Sequence, residues 1–163
     1  LFTGRYPESF FEFQAKLIRW GVRIQASLAH LVDGFPPFGL DVDWEKLRLD
    51  IPYPEKLSRS HLLMRTLFGW IYFSLPHGFC LAFRMLWTGI LGFLAWWVVL
   101  FTGSYPQSWH EFNVGTIRWM TRMTLYEKFM TDDYPPFSGR ALDDAEWPPL
   151  PADESPREAP GPA

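Results

Sequence analysis

From Gly78 to Phe101 the chain reads GFCLAFRMLWTGILGFLAWWVVLF, with Arg84 as its one charge. At 1.5 Å rise per residue this run makes roughly 36 Å of helix, enough to cross a bilayer core with some tilt. A buried helix of a soluble protein is the alternative reading. Against it, the uncharged stretch after Arg84 holds Trp96-Trp97, the kind of aromatic pair that collects where a span meets the headgroups. The run points to an all-α membrane protein. Residues 65–75, RTLFGWIYFSL, are also apolar, so the stretch 66–101 exceeds one straight span. Pro76 lacks a backbone donor and clashes with the preceding turn. The sequence therefore predicts a kink or break at Leu75-Pro76-His77-Gly78. A helix from about Ser58 to Leu75 would lie at or enter the membrane before the span; the alternative is a tight hairpin of two shorter spans.

A second constraint is duplication. LFTGRYPESFFEF at the start returns ninety-nine residues later as LFTGSYPQSWHEF, and 17 of 38 positions agree between 1–38 and 100–137. The shared blocks are a Gly-Pro turn, a charged helix and a proline stop, Asp33…Pro36-Pro37-Phe38 and Asp132…Pro135-Pro136-Phe137. Such a period is longer than that of solenoid repeats. It indicates two copies of one module, 1–40 and 58–137, joined by a linker at 41–57 and followed by a Pro-rich acidic tail at 138–163. Because the run precedes only the second copy, the sequence leads us to expect a further span before the first.

Both copied helices are amphipathic. In the first, Glu12, Lys16, Arg19, Arg23 and His30 fall on one face, with Phe10, Phe13, Leu17, Trp20, Ile24, Leu28 and Leu31 on the other. In the second, Glu111, Arg118 and Arg122 keep the polar face. Helices of this kind suit the membrane interface, with a globular core as the alternative. Pairs of Glu12 with Lys16 or Arg19, and of Glu111 with Arg118, are expected as surface salt bridges. The repeated Glu-x6-Arg-x3-Arg also suits anionic lipid headgroups. The candidate lipid or partner contacts are Arg19, Arg23, Arg84, Arg118, Arg122, Trp96 and Trp97. After each helix the prolines end it, and the Phe38 and Phe137 rings are expected to fold back as anchors. Between the copies, Leu47, Leu49 and Ile51 alternate with Arg48 and Asp50, which favours a short strand or extended linker. In the tail, Trp147-Pro148-Pro149-Leu150-Pro151 could dock as polyproline II, although a flexible tail is the simpler reading.

Catalytic signals are absent from the sequence. His30, His61, His77 and His110 are scattered, His77 with Cys80 is a weak ligand spacing, and Cys80 is the one cysteine, read as packed within the run. There is no phosphate loop or nucleophile elbow, and Gly89-x-x-Gly92 reads as small-residue helix packing. No catalytic, cofactor or metal site is expected, and a net charge of −3 without a basic aromatic stretch excludes a nucleic-acid surface. Arg84 is costly within a span. Snorkelling, a carboxylate partner or a transport role would each account for it.

LFTGRYP, LIRWGVRIQA and DGFPPF in the first copy, with RLDIPYPEKLSR, SLPHGF, AWWVVLFTGSYP, IRWMTR and DDYPPF around the second, resemble the DUF4389 family of bacterial membrane proteins. Ser104 stands where the first copy has Arg5. The resemblance implies an integral membrane module, multi-pass in the bacterial inner membrane, with no established chemistry. The functional expectation is a non-enzymatic accessory or scaffold subunit in contact with lipid and a larger membrane complex. The alternatives are a small transporter or channel component and an anionic-lipid-binding module. Lys56, Arg59, Arg65 and Arg84 precede the span, which puts its start on the cytoplasmic side.

Overall fold

The computed structural model describes residues 6–42, 44–47, 49–54 and 57–141. Residues 142–163 of the proposed Pro-rich tail, with its Trp147 motif, the first LFTG turn and the Arg48 position of the linker lie outside these residues, whereas 138–141 are described. Helix α1 covers Glu8–Leu28, α2 Arg59–Gly69, α3 Leu75–Thr102 and α4 Gln107–Glu127.

The break expected at Pro76 does not occur. A π-helical turn at Trp70–Ser74 joins α2 to α3, and the three segments form one 44-residue rod, Arg59–Thr102. The continuous helix replaces the two-span hairpin. The wider turn lies just before the proline, which falls in the first turn of α3, where a missing donor and a fixed φ do least harm. In a regular helix Pro76 would leave the Tyr72 carbonyl without a donor. Here the Tyr134 hydroxyl reaches that carbonyl at 3.4 Å.

Gly103 ends the rod at φ 71°, with its N–H on the Val99 carbonyl, and Pro106 begins α4. A left-handed glycine followed by a proline reverses the chain within a few residues. Helix α4 then runs back along the rod. Its partners fall in number as those on the rod rise: Tyr126 meets Arg65 and Phe73, Trp119 meets His77, and Thr116 meets Arg84. The sequence placed this amphipathic helix at the interface, and the structure adds that it is antiparallel to α3.

Helix α1 packs on the other side of α4, also antiparallel. The Tyr6 hydroxyl donates to the Lys128 carbonyl, and at the opposite end His110 Nε2 lies 3.0 Å from the Leu31 carbonyl. Phe11 and Ala15 share a core with Leu125, Met130 and Ile51, while Phe73, Leu81, Trp119, Met123 and Tyr126 form a second core between rod and α4. Thus α4 is the middle layer. The linker makes no strand among its described residues, since no neighbouring strand accepts its hydrogen bonds. Instead Ile51 plugs the first core, and Arg19 Nε donates to the Leu49 carbonyl at 2.9 Å.

Helices α1 and α4 share the same end geometry. Pro7 and Pro106 both cap with extended backbone, ψ 123° in each, and His30 and Phe129 both adopt positive φ, 56° and 59°. In each helix the last carbonyls are closed by the same pair of bonds, His30 to Ser27 with Leu31 to Ala26, and Phe129 to Tyr126 with Met130 to Leu125. This is the Schellman arrangement.

Candidate functional site

The face where the rod meets α4 and the proline loop concentrates the buried polar groups. Arg65 is buried and donates to the Tyr126 carbonyl at 2.6 Å, the Thr131 carbonyl at 3.0 Å and Asp132 Oδ1 at 3.1 Å, with its guanidinium 3.7 Å above the Tyr126 ring. Asp132 Oδ2 also accepts the Ser58 N–H at 2.6 Å, so one carboxylate closes the loop and anchors the start of α2. Buried pairs are held by such extra bonds, and removing one partner is far more costly than the pair's own net worth.

One turn beyond the π segment, His77 is fully buried. Trp119 Nε1 donates to its Nδ1 at 3.0 Å, and an indole nitrogen can only donate, so the His77 proton resides on Nε2. That Nε2 has no partner among the described residues. The ring stacks on Phe137 at 3.7 Å between centroids, and Phe137 in turn stands edge-on to Trp119 at 6.2 Å. The expected fold-back of Phe137 is seen, with His77 beneath it. Sequence reasoning weighed His77 only as a ligand and missed this packing role. Its place seven residues before Arg84, two helical turns along the same face, was the available signal.

Among the described residues Arg84 forms no ion pair with a carboxylate and is held by α4 instead. Its Nε donates to Thr116 Oγ1 at 2.9 Å and Nη2 to the Phe112 carbonyl at 3.1 Å, with the guanidinium 4.2 Å from the Phe112 ring. Thr88 hydrogen-bonds to the same Thr116 hydroxyl. Beside it Gly115 and Gly139 touch backbone to backbone. A Cβ on Gly115 would stand 2.8 Å from Arg84 Nη2 and 2.9 Å from the Gly139 carbonyl, so neither glycine has room for a side chain. Arg122 holds the same loop through the Ser138 carbonyl at 3.3 Å and the Arg140 carbonyl at 2.9 Å. Burial, with the Arg118 charge nearby, lowers the Arg122 pKa from its ordinary value. Arg118 is exposed, and together with Arg84, Arg140 and Glu111 it lines a cavity of about 480 Å³.

The remaining expected contacts fall elsewhere. Trp96 and Trp97 sit edge to face on the outside of α3, with Trp97 stacked on Phe101. Cys80, expected to pack, is exposed on the rod. Arg19 and Arg23 turn inward, Arg19 to the linker and Arg23 to a buried position at 4% exposure where Nε and Nη1 find no partner among the described residues. Meanwhile Phe10, Phe13, Leu17 and Leu28, the apolar face, are exposed. The inward side of α1 is thus mixed, Phe11, Ala15, Arg23 and Ala26 being buried, while Glu12 and His30 of the polar face stay exposed. The expected Glu–Arg surface pairs also differ, since Lys16 pairs with Asp41 and Glu111 accepts from Gln107. Among the described residues no three His, Cys, Asp or Glu side chains gather as a metal site would need.

Residues 60–139 match the family model described as "Domain of unknown function (DUF4389)". This segment belongs to the DUF4389 family. The curated proteins and the solved structures gave no match. The DUF4389 segment takes in Arg65, His77, Arg84, α4 and the proline loop, and its last residue is Gly139, the one in contact with Gly115. Most of the face described above therefore lies within it, with Ser58 and Arg140 just outside, and α1 lies outside it as well.

Proposed function

We propose that this chain is a non-enzymatic membrane scaffold or accessory module whose long helix crosses the bilayer and offers its outer face to a larger membrane complex. The uncovered state of the rod carries this reading. Only 6% of its most apolar window is buried, and Phe79, Phe83, Trp87, Ile90 and Phe93 are exposed. A soluble protein would expose so large an apolar surface only at an interaction site. Gly89 and Gly92 face open space, the close approach that small residues give a second helix. Arg84 gives its Nε and one Nη donor to α4, which favours a packing role for this charge over transport. On this reading the protein carries two copies of the module in the bacterial inner membrane, with the start of the rod cytoplasmic. The test is to replace Trp87 by a photo-crosslinking residue in native membranes. Discrete protein adducts are expected; adducts to lipid alone, with the chain purifying in mild detergent as a lone monomer, would contradict the proposal.

The cavity between α3, α4 and the loop favours a second reading. Three arginines and one glutamate line it, a charge balance that suits an anionic lipid headgroup. Nanodiscs containing phosphatidylglycerol should stabilise the chain more than zwitterionic ones, and Arg118→Ala should remove the difference. Equal stability in both lipids would exclude this role.

A further inference from the structure

The surface of α1 that corresponds to the rod-binding surface of α4 is built but bare. Trp20 and Phe38 stand edge to face at 6.0 Å and 85°, as Trp119 and Phe137 do at 6.2 Å and 71° around His77. Among the described residues the Trp20 indole N–H has no acceptor, and the Asp33 carboxylate, the counterpart of Asp132, makes no hydrogen bond or ion pair. Leu17, where α4 has Thr116, is 39% exposed against 2%. The same residue types with closely similar ring geometry are covered by a helix in one copy and, among the described residues, by none in the other.

Resting on the scaffold reading, we infer that this α1 face receives a second apolar helix of the α2–α3 type. Such a helix places a histidine between Trp20 and Phe38 and, twelve residues earlier, an arginine on Asp33. The occupant differs from the rod at one point. Lys16 and Leu17 replace Gly115 and Thr116, so an arginine at the Arg84 position would meet a like charge, lose its hydroxyl acceptor and have no glycine to lie against. The occupant therefore carries an apolar residue there. A second copy of this chain is a poor occupant, because its own rod already uses His77, Arg65 and Arg84 on α4.

The experiment places a photo-crosslinking residue at Phe38 of the full chain in nanodiscs, and adds a biotinylated peptide of residues 59–102 carrying Arg84→Leu. Capture of this peptide is expected to exceed that of the unaltered peptide by about tenfold, the effect of one charged contact. Trp20→Phe, which keeps the ring and loses the N–H, and Asp33→Asn should each weaken capture several-fold while helix content stays unchanged. Equal capture of a scrambled peptide, adducts to lipid alone, or adducts to a second copy of the chain would each overturn the inference. The crosslinker at Trp87 reports on the outer face of the rod, so failure at Phe38 with partner capture at Trp87 removes this inference and leaves the scaffold reading standing.

Discussion

Helices α1 and α4 start and stop at matching residues, yet among the described residues α4 lies between two helices, whereas α1 packs on one helix and the linker. On α4 the side bearing Phe112, Thr116, Trp119 and Met123 is closed by the rod. On α1 the side bearing Phe13, Leu17, Trp20 and Ile24 faces outward. The ends of a helix follow from local chemistry, here a proline cap, a left-handed residue and a proline stop. What covers its faces depends on which helix lies alongside, and on α4 that helix is the rod, joined to it by the Gly103 turn.

The comparison can be broken most forcefully at the two aspartates. Asp132→Ala strands the buried Arg65 and should cost about 3 kcal/mol in unfolding measured in detergent, whereas Asp33→Ala should stay within about 0.5 kcal/mol. Equal losses would mean that both loops are closed in the same way. Next, Gly139→Ala drives a methyl into the Gly115 backbone and should destabilise by about 1–3 kcal/mol, while Leu40→Ala, its counterpart in the first copy, should not loosen the α1–α4 contact. Trp119→Phe leaves His77 Nδ1 without its donor and should cost about 1–2 kcal/mol, with Trp20→Phe near neutral. Tyr134→Phe should have a smaller effect, about 0.5 kcal/mol, because its bond to the Tyr72 carbonyl is long. Burial, with Tyr126 nearby, raises the Tyr134 phenol above its ordinary 10.0, so the neutral donor is favoured in the folded state. That contribution is fully present below pH 10 and is lost as pH rises through the raised value, so the wild-type advantage over Tyr134→Phe should shrink only in alkali. The smallest effect belongs to Lys16→Ala. Its raised pKa comes from the hydrogen bond to Asp41, but the pair is exposed and no resolvable change in Tm is expected.

Much of this was legible in the sequence. The offset of the two copies carried the bounds of both helices and the fold-back of Phe137, because caps and proline stops act within a few residues. The long apolar run carried the rod. Pro76 was misread because its cost depends on where the helix turn widens, and the π segment just upstream left it in a first turn. Amphipathicity alone did not give the packed side of α1, because Arg23 is buried along with Phe11, Ala15 and Ala26 while Leu17 and Leu28 stay exposed. Arg84 and His77 needed tertiary contacts to interpret, since Thr116, Phe112 and Trp119 lie far along the chain and no spacing rule links them.

The central claim is that one face is covered in α4 and bare in α1. It is tested most directly by single cysteines at Leu17 and Thr116, in a Cys80→Ser background, modified with a lipid-soluble thiol reagent in the purified chain reconstituted alone in nanodiscs. The cysteine at 17 should react readily and the one at 116 should be protected until the protein unfolds. Comparable rates at the two positions would contradict the account.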